Sequence, residues 1–289
     1  MAKKISELTD LNATPASDDK LIILDTSASQ TKRVDYNDFI GTTLLITMFQ
    51  GCLQRPKFEY NDTTSILISS AWYEHNGTAQ QILYWNAQLT YTFGSGGSNA
   101  NSDDLGASEW HYLYIDDSEL SGAEMVAGEF INTTTAPSWS EAKHGWYNGN
   151  DKCIGAFLTN ASSQIIEFWH DGGEYFSYAN SIEDRAYAVV ASGFNAYTLT
   201  LPDFGEDTPG EVVFVIADAS GNSTAYWRKT GSSATTGINV GVSASTYYGS
   251  YNGNSVKIFT DSSQQIDVNI TPSGAFAMHT SGYYFPRGM

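Results

Sequence analysis

Trp110-His111-Tyr112-Leu113-Tyr114-Ile115 is the stretch on which the reading of the fold turns. Successive side chains of an extended chain point to opposite faces, so Trp110, Tyr112 and Tyr114 share one side and His111, Leu113 and Ile115 the other. Both sides are bulky. Such a strand must be covered on each face, as an inner strand of a layered β structure is. The same signals recur outward from it. Ser65-Ile-Leu-Ile-Ser69, Ala71-Trp-Tyr-Glu74 and the run from Gln81 to Phe93 read as strands, with Asn76-Gly77 between the second and third. Asn-Gly between apolar runs is the strongest short hairpin signal. Later strands are expected near 187–191, 197–201, 211–217, 224–229, 256–260, 265–270 and 275–279, punctuated by Pro202-Asp203, Thr208-Pro-Gly210, Ser220-Gly-Asn222 and Asn252-Gly253. That spacing suits a β-sandwich. Gly94 to Asp104 is a Gly, Ser and Asn loop, long enough to move or to hold a partner.

Composition points the same way. Charged residues are only 16% and aromatics reach 13%, which fits strands joined by polar turns better than charged amphipathic helices, so the chain is expected to be mainly β. A net charge of -18 argues against a nucleic-acid groove, which needs clustered cations. The longest apolar window, Phe39 to Phe49, is broken by Gly41-Thr-Thr43 and falls short of the roughly 20 residues of a membrane span. No membrane insertion is expected. Ile5, Leu8 and Leu11 are separated by polar residues, so no secretory signal is read at the N-terminus and synthesis in the cytoplasm is expected. Cys52 and Cys153, widely spaced, read as buried thiols.

The first forty residues differ from the rest. Thr14-Pro-Ala-Ser-Asp-Asp19 is turn chemistry leading into a short apolar strand, Leu21 to Leu24, and Asp35 is placed to N-cap a short helix carrying Phe39 and Ile40. So few apolar residues make little core. Below about 40 residues an isolated fold usually needs a metal, disulfides or a partner, and a partner is expected here. The organisation read from the chain is a segment 1–45, a connector 46–56, a central β domain 57–180 and a C-terminal β-sandwich domain 181–289, with the inner boundary near 177–185.

Candidate chemistry is sparse. His170-Asp-Gly-Gly-Glu174 and Asp116-Asp-Ser-Glu119 would supply an acid and a base for glycan cleavage if they faced each other across a cleft. Both fall at strand ends in turn-favouring sequence and read first as turns, so no catalytic residue is assigned. Asn148-Gly-Asn-Asp151 and Asp103-Asp104 lack the spacing of a calcium loop, and the five histidines show no paired ligand spacing, so neither metal nor cofactor is expected. Asn76, Asn132, Asn160 and Asn222 open glycosylation tripeptides that arise freely in such a composition. Among the aromatics, Trp72, Trp85, Trp110 and Trp169 lie in strand patterns and are expected in the core. Trp139, Trp146, Tyr147, Tyr247, Tyr248 and Tyr251 lie in loop-like sequence and are the candidates for exposed contacts.

Two segments also carry a resemblance. Lys4-Ile-Ser-Glu-Leu-Thr9, Ala13-Thr-Pro-Ala-Ser-Asp-Asp19, Leu21-Ile-Ile-Leu-Asp25 and Thr31-Lys-Arg-Val-Asp35 together resemble the N-terminal leader of tailed-bacteriophage fibre proteins. The segment from Trp110 through Thr135-Ala-Pro-Ser-Trp139 and Gly145 to Gly155, ending at Ile165-Ile-Glu-Phe-Trp-His170, is similar to a module of phage fibre proteins. The two cover about a third of the chain, and the leader is the more specific. The resemblance implies a virion structural protein, not an enzyme: a small adaptor followed by two antiparallel β-sandwich-like domains in a homotrimeric fibre. It implies docking to other virion proteins (tail adaptor, nozzle or capsid) through Ile5, Leu8, Leu21, Ile22, Ile23, Leu24, Val34 and Phe39. Adhesion to a host-surface glycan or protein would then fall on Tyr247, Tyr248 and Tyr251. A tail fibre is the first expectation, a head fibre or capsid decoration protein the alternative, and a surface-glycan depolymerase the rival of a different class.

Overall fold

Extended backbone dominates the computed structural model, which describes residues 20–25, 30–35, 52–189, 193–205, 208–217, 224–242, 254–271, 275–286 and 288–289. The chain is mainly β, in several antiparallel sheets, as its alternation and turn chemistry predict. Contacts divide it into two units, residues 1–50 and residues 51–289.

In the first unit β1 (Lys20–Asp25) and β2 (Gln30–Asp35) form an antiparallel hairpin, with Leu21 opposite Val34 and Leu24 opposite Thr31. The strand expected at Leu21 to Leu24 is there. The expectations at Ile5, Leu8, Phe39 and the helix after Asp35 lie outside the described residues.

The second unit opens with β3 (Cys52–Gln54), β4 (Phe58–Tyr60), β5 (Ser65–Ile68), β6 (Ala71–Asn76), β7 (Gln80–Trp85) and β8 (Leu89–Thr92). These make two three-stranded sheets, β3-β6-β7 and β4-β5-β8, and β6 and β7 are the hairpin that Asn76-Gly77 predicts. Next come β9 (Trp110–Ile115), β10 (Phe130–Thr133), β11 (Ser138–Ser140), β12 (Gly145–Asn148) and β13 (Asp151–Leu158), in the sheet order β10-β9-β13-β12-β11. Strand β9 lies between two neighbours, and His111 through Ile115 are all buried, which is what two bulky faces require. Strands β14 (Phe168–His170), β15 (Tyr175–Val189), β16 (Asn195–Thr198), β17 (Pro209–Ala217), β18 (Thr224–Lys229), β19 (Ile238–Val242), β20 (Asn254–Phe259), β21 (Gln265–Thr271) and β22 (Ala275–Tyr284) complete the unit. They form a five-stranded sheet β14-β15-β22-β17-β20 and a four-stranded sheet β16-β21-β18-β19. Tyr197 of the second meets Phe276 of the first edge to face, centroids 5.3 Å apart.

The boundary expected near 177–185 falls inside β15. Burial across it is continuous: Phe157 packs against Phe58, Phe93, Phe168 and Phe176, and Tyr283 packs against Trp110 while its hydroxyl donates to the Ala156 carbonyl. Asp203 N–H donates to the Tyr112 hydroxyl at 2.7 Å, and Phe204 packs on Trp146. Each ring removed from water stabilises by about 1.5–3 kcal/mol, and offset or edge-on ring pairs add to that. The segments drawn as two domains therefore share one core. Cys153 is a buried free thiol, and burial pushes its pKa up. Among the described residues no helix is long and apolar enough to cross a membrane.

Candidate binding groove

The groove begins where β14 meets β4. Strand alternation turns Phe168 and His170 inward and leaves Trp169 between them 62% exposed. His170 fixes the junction: its Nδ1 accepts the Phe58 backbone N–H at 3.0 Å, and its Nε2–H donates to the Gly173 carbonyl at 3.1 Å. The tautomer follows from those partners. Burial holds the imidazole below the ordinary histidine range. Beside this junction lies an open groove of about 590 Å³, bordered by Lys57, Glu59, Tyr60, Glu167, Trp169 and Tyr175. Glu59 is held below the usual carboxylate range by its hydrogen bond from Lys57 and by that ammonium's charge. Burial pushes the Tyr60 phenol up, and the nearby Glu167 and Asp62 charges add to it.

Register extends this surface. Trp169 opposes Ser177, Ser177 opposes Gly282, Gly282 opposes Glu211, and Glu211 opposes Lys257, one row across the five-stranded sheet. Two residues along the strands, on the same face, Tyr175 opposes Tyr284 with ring centroids 4.8 Å apart. Gly282 lets the Tyr175 ring lie along the sheet, since a Cβ there would stand 2.8 Å from the Tyr175 hydroxyl and 2.2 Å from the Phe176 carbonyl oxygen. The Lys257 ammonium sits 3.7 Å from the Tyr284 ring centroid, and Ser255 donates to Glu211 beside it. Trp169, Tyr175 and Tyr284 thus present rings on one sheet face, with carboxylates set among them. Rings of this kind stack on apolar ring faces, and carboxylates accept hydrogen bonds from hydroxyl groups.

The acidic runs singled out in the sequence are not brought together. Asp171 lines the groove and accepts the Gly173 N–H at 2.8 Å, as a turn does. Asp116 and Asp117 belong to a separate cluster. Buried Asp116 accepts from Asn99 at 3.0 Å and from the Ser118 hydroxyl at 2.7 Å. Asp117 accepts from His75 Nε2–H at 2.8 Å and from the Thr78 N–H and hydroxyl. Burial works to raise the Asp117 carboxyl, but the bonds from Thr78 and His75 outweigh it and leave it low. Burial lowers His75, against the hydrogen bond and charge of Asp117, which favour the imidazolium. Asp151, whose carboxyl accepts the Asp117 N–H, is pushed up by burial, with the Asp116 and Asp117 charges adding to the rise. Among the described residues no group of three or more His, Cys, Asp or Glu side chains is placed to hold a metal ion.

Two expectations about aromatics reverse. Trp146 and Tyr147 are buried on β12, where Tyr147 accepts the Asn76 N–H, because the residues around them form a strand and not a loop. Trp169 and Trp72 are exposed, Trp72 stacking on Tyr84 at 4.7 Å, because each occupies the outward position of its strand. Trp169 was findable from its neighbours: Phe168 and His170 claim the inward positions. Tyr247, Tyr248 and Tyr251 lie outside the described residues. Of the docking set, Leu21 to Leu24 and Val34 fall on the β1–β2 hairpin.

No protein-family model matches the chain, and no curated protein matches it. Among solved structures, a chain from the structure of the infectious bursal disease virus Gt strain is similar at 10% identity, over 85% of this chain and 76% of that one, with a TM-score of 0.16. A likeness at that level carries no argument.

Proposed function

We propose that the chain is a non-enzymatic structural protein of a tailed-bacteriophage virion, a homotrimeric tail fibre that attaches through residues 1–45 and turns its β body toward the host surface. The observation that carries this reading is the division at residue 50: a leader-like hairpin unit, and a β unit with its own aromatic core. Trimerisation is supported by exposed apolar side chains on the edge strands, Ile238 on β19 and Phe259 on β20, 61% and 50% exposed. Symmetric pairing covers such edges.

Deleting residues 1–50 is expected to leave a soluble body with an unchanged β signature by circular dichroism and the same trimer mass by light scattering. The same deletion should remove the chain from purified particles, as read by immunoblot. A deleted chain that still copurified with particles would contradict attachment through the N-terminus.

A further inference from the structure

The face built by Trp169, Tyr175 and Tyr284 has chemistry of its own. Its rings are held in place: Tyr175 lies over Gly282 and against Tyr284, and Trp169 is carried by a strand pinned through His170. Around the rings are Glu59, Glu167 and Asp171 in the groove and Glu211 on the adjoining row, against Lys57, already bonded to Glu59, and Lys257, seated over Tyr284. The cations are engaged and carboxylates predominate. A protein-binding patch has a core depleted of charge, with aromatic anchors at its centre. Here acceptors are interleaved with the rings. That pattern suits a ligand that alternates apolar C–H faces with hydroxyl donors, which is a sugar chain. The acidic excess repels uronates, sialic acids and phosphorylated sugars, while neutral hexoses and N-acetylhexosamines meet no such penalty.

We propose that this sheet face and its groove form a binding site for a neutral oligosaccharide, stacked on Trp169 and Tyr175 and hydrogen-bonded through Glu59, Glu167 and Asp171. The site deepens the adhesion reading, on which its biological use rests, but its test does not need the virion. The full-length chain is titrated in solution, by saturation-transfer NMR, with neutral trisaccharides of glucose, galactose, mannose and N-acetylglucosamine, and with polygalacturonate as the anionic control. The expected result is binding of at least one neutral trisaccharide in preference to polygalacturonate. Trp169→Ala should weaken it about tenfold or more, equal to about 1.4 kcal/mol. Because Trp169 is exposed, this variant should keep the wild-type circular dichroism and melting temperature. A second variant, Glu167→Gln, keeps the shape and should weaken neutral-sugar binding without admitting polygalacturonate. The proposal is overturned if no neutral trisaccharide binds, if polygalacturonate binds better, or if Trp169→Ala binds as wild type. It is also overturned if that variant instead dissociates an oligomer by light scattering, which would make the face a subunit contact. Release of reducing ends from the bound sugar would contradict the non-enzymatic reading and leave the site itself standing.

Discussion

Replacing Asn132 by Ala is expected to destabilise the body by about 3–5 kcal/mol, read as a fall in the urea midpoint at an unchanged slope. Asn132 is fully buried and holds four groups at once. Its Oδ1 accepts from the Tyr91 hydroxyl at 3.0 Å and from Gly94 N–H at 3.2 Å, and its Nδ2 donates to the Asp103 carbonyl at 2.8 Å and to His111 Nδ1 at 3.0 Å. Truncation leaves a buried amide, a carbonyl and an imidazole nitrogen without their partner, and each such loss costs about 1–3 kcal/mol. The same contacts explain the loop from Gly94 to Asp104. Its sequence suggested motion or a partner, yet Asn132 closes it at both ends, Ser98 N–H donates to the Thr92 carbonyl, and Asn99 reaches Asp116 and the Gly128 carbonyl. Asn132→Asp should cost stability as well, because a carboxylate cannot donate to Asp103 and His111. A midpoint within experimental error of wild type for both variants would show that this hub does not hold the loop.

Acidification below the unfolded histidine pKa of about 6.5 should destabilise the protein through His75, His111 and His170. Burial lowers all three. A histidine whose folded pKa lies below its unfolded value of about 6.5 contributes stability that is complete above pH 6.5 and is lost as pH falls toward the folded pKa. Each therefore loses stability as pH falls from 7.5 to 5.5, and the three losses add. The geometry gives the reason for two of them. His111 Nδ1 faces the Asn132 amide and His170 Nδ1 faces the Phe58 N–H, so a second ring proton would set donor against donor. Asp151 and Asp184, raised by burial, carry the opposite slope: their cost grows as pH rises from the ordinary carboxylate range near about 3.9. They flatten the acid end of the transition. Urea midpoints at pH 7.5, 6.5 and 5.5 check this, and a flat profile would mean that these rings stay solvated.

Much of the fold was legible because strand alternation is a local property. Trp110 to Ile115 announces a strand covered on both faces, and Asn76-Gly77 announces a hairpin, without reference to anything distant. The division of the body was not legible, because Pro, Gly and Asn mark turns equally well inside a domain and between domains. What joins 57–180 to the rest is tertiary: Tyr283 on Ala156, Phe204 on Trp146, and β15 running through the expected boundary. The binding face was missed for a related reason. Trp169 sits in a strand pattern, and apolar neighbours suggest burial, but its exposure depends on Phe168 and His170 taking the inward positions. The row from Trp169 to Lys257 is assembled from strands far apart in sequence, and only their pairing brings it together.

Cryo-electron microscopy of the virion in which the chain is proposed to assemble tests the central proposal most directly. The account predicts trimeric density for the chain, with residues 1–45 at the virion-proximal end against another virion protein and the Trp169 sheet face open to solvent. Absence of the chain from the particle, or a virion contact made through the Trp169 face with the N-terminal segment pointing outward, would contradict it.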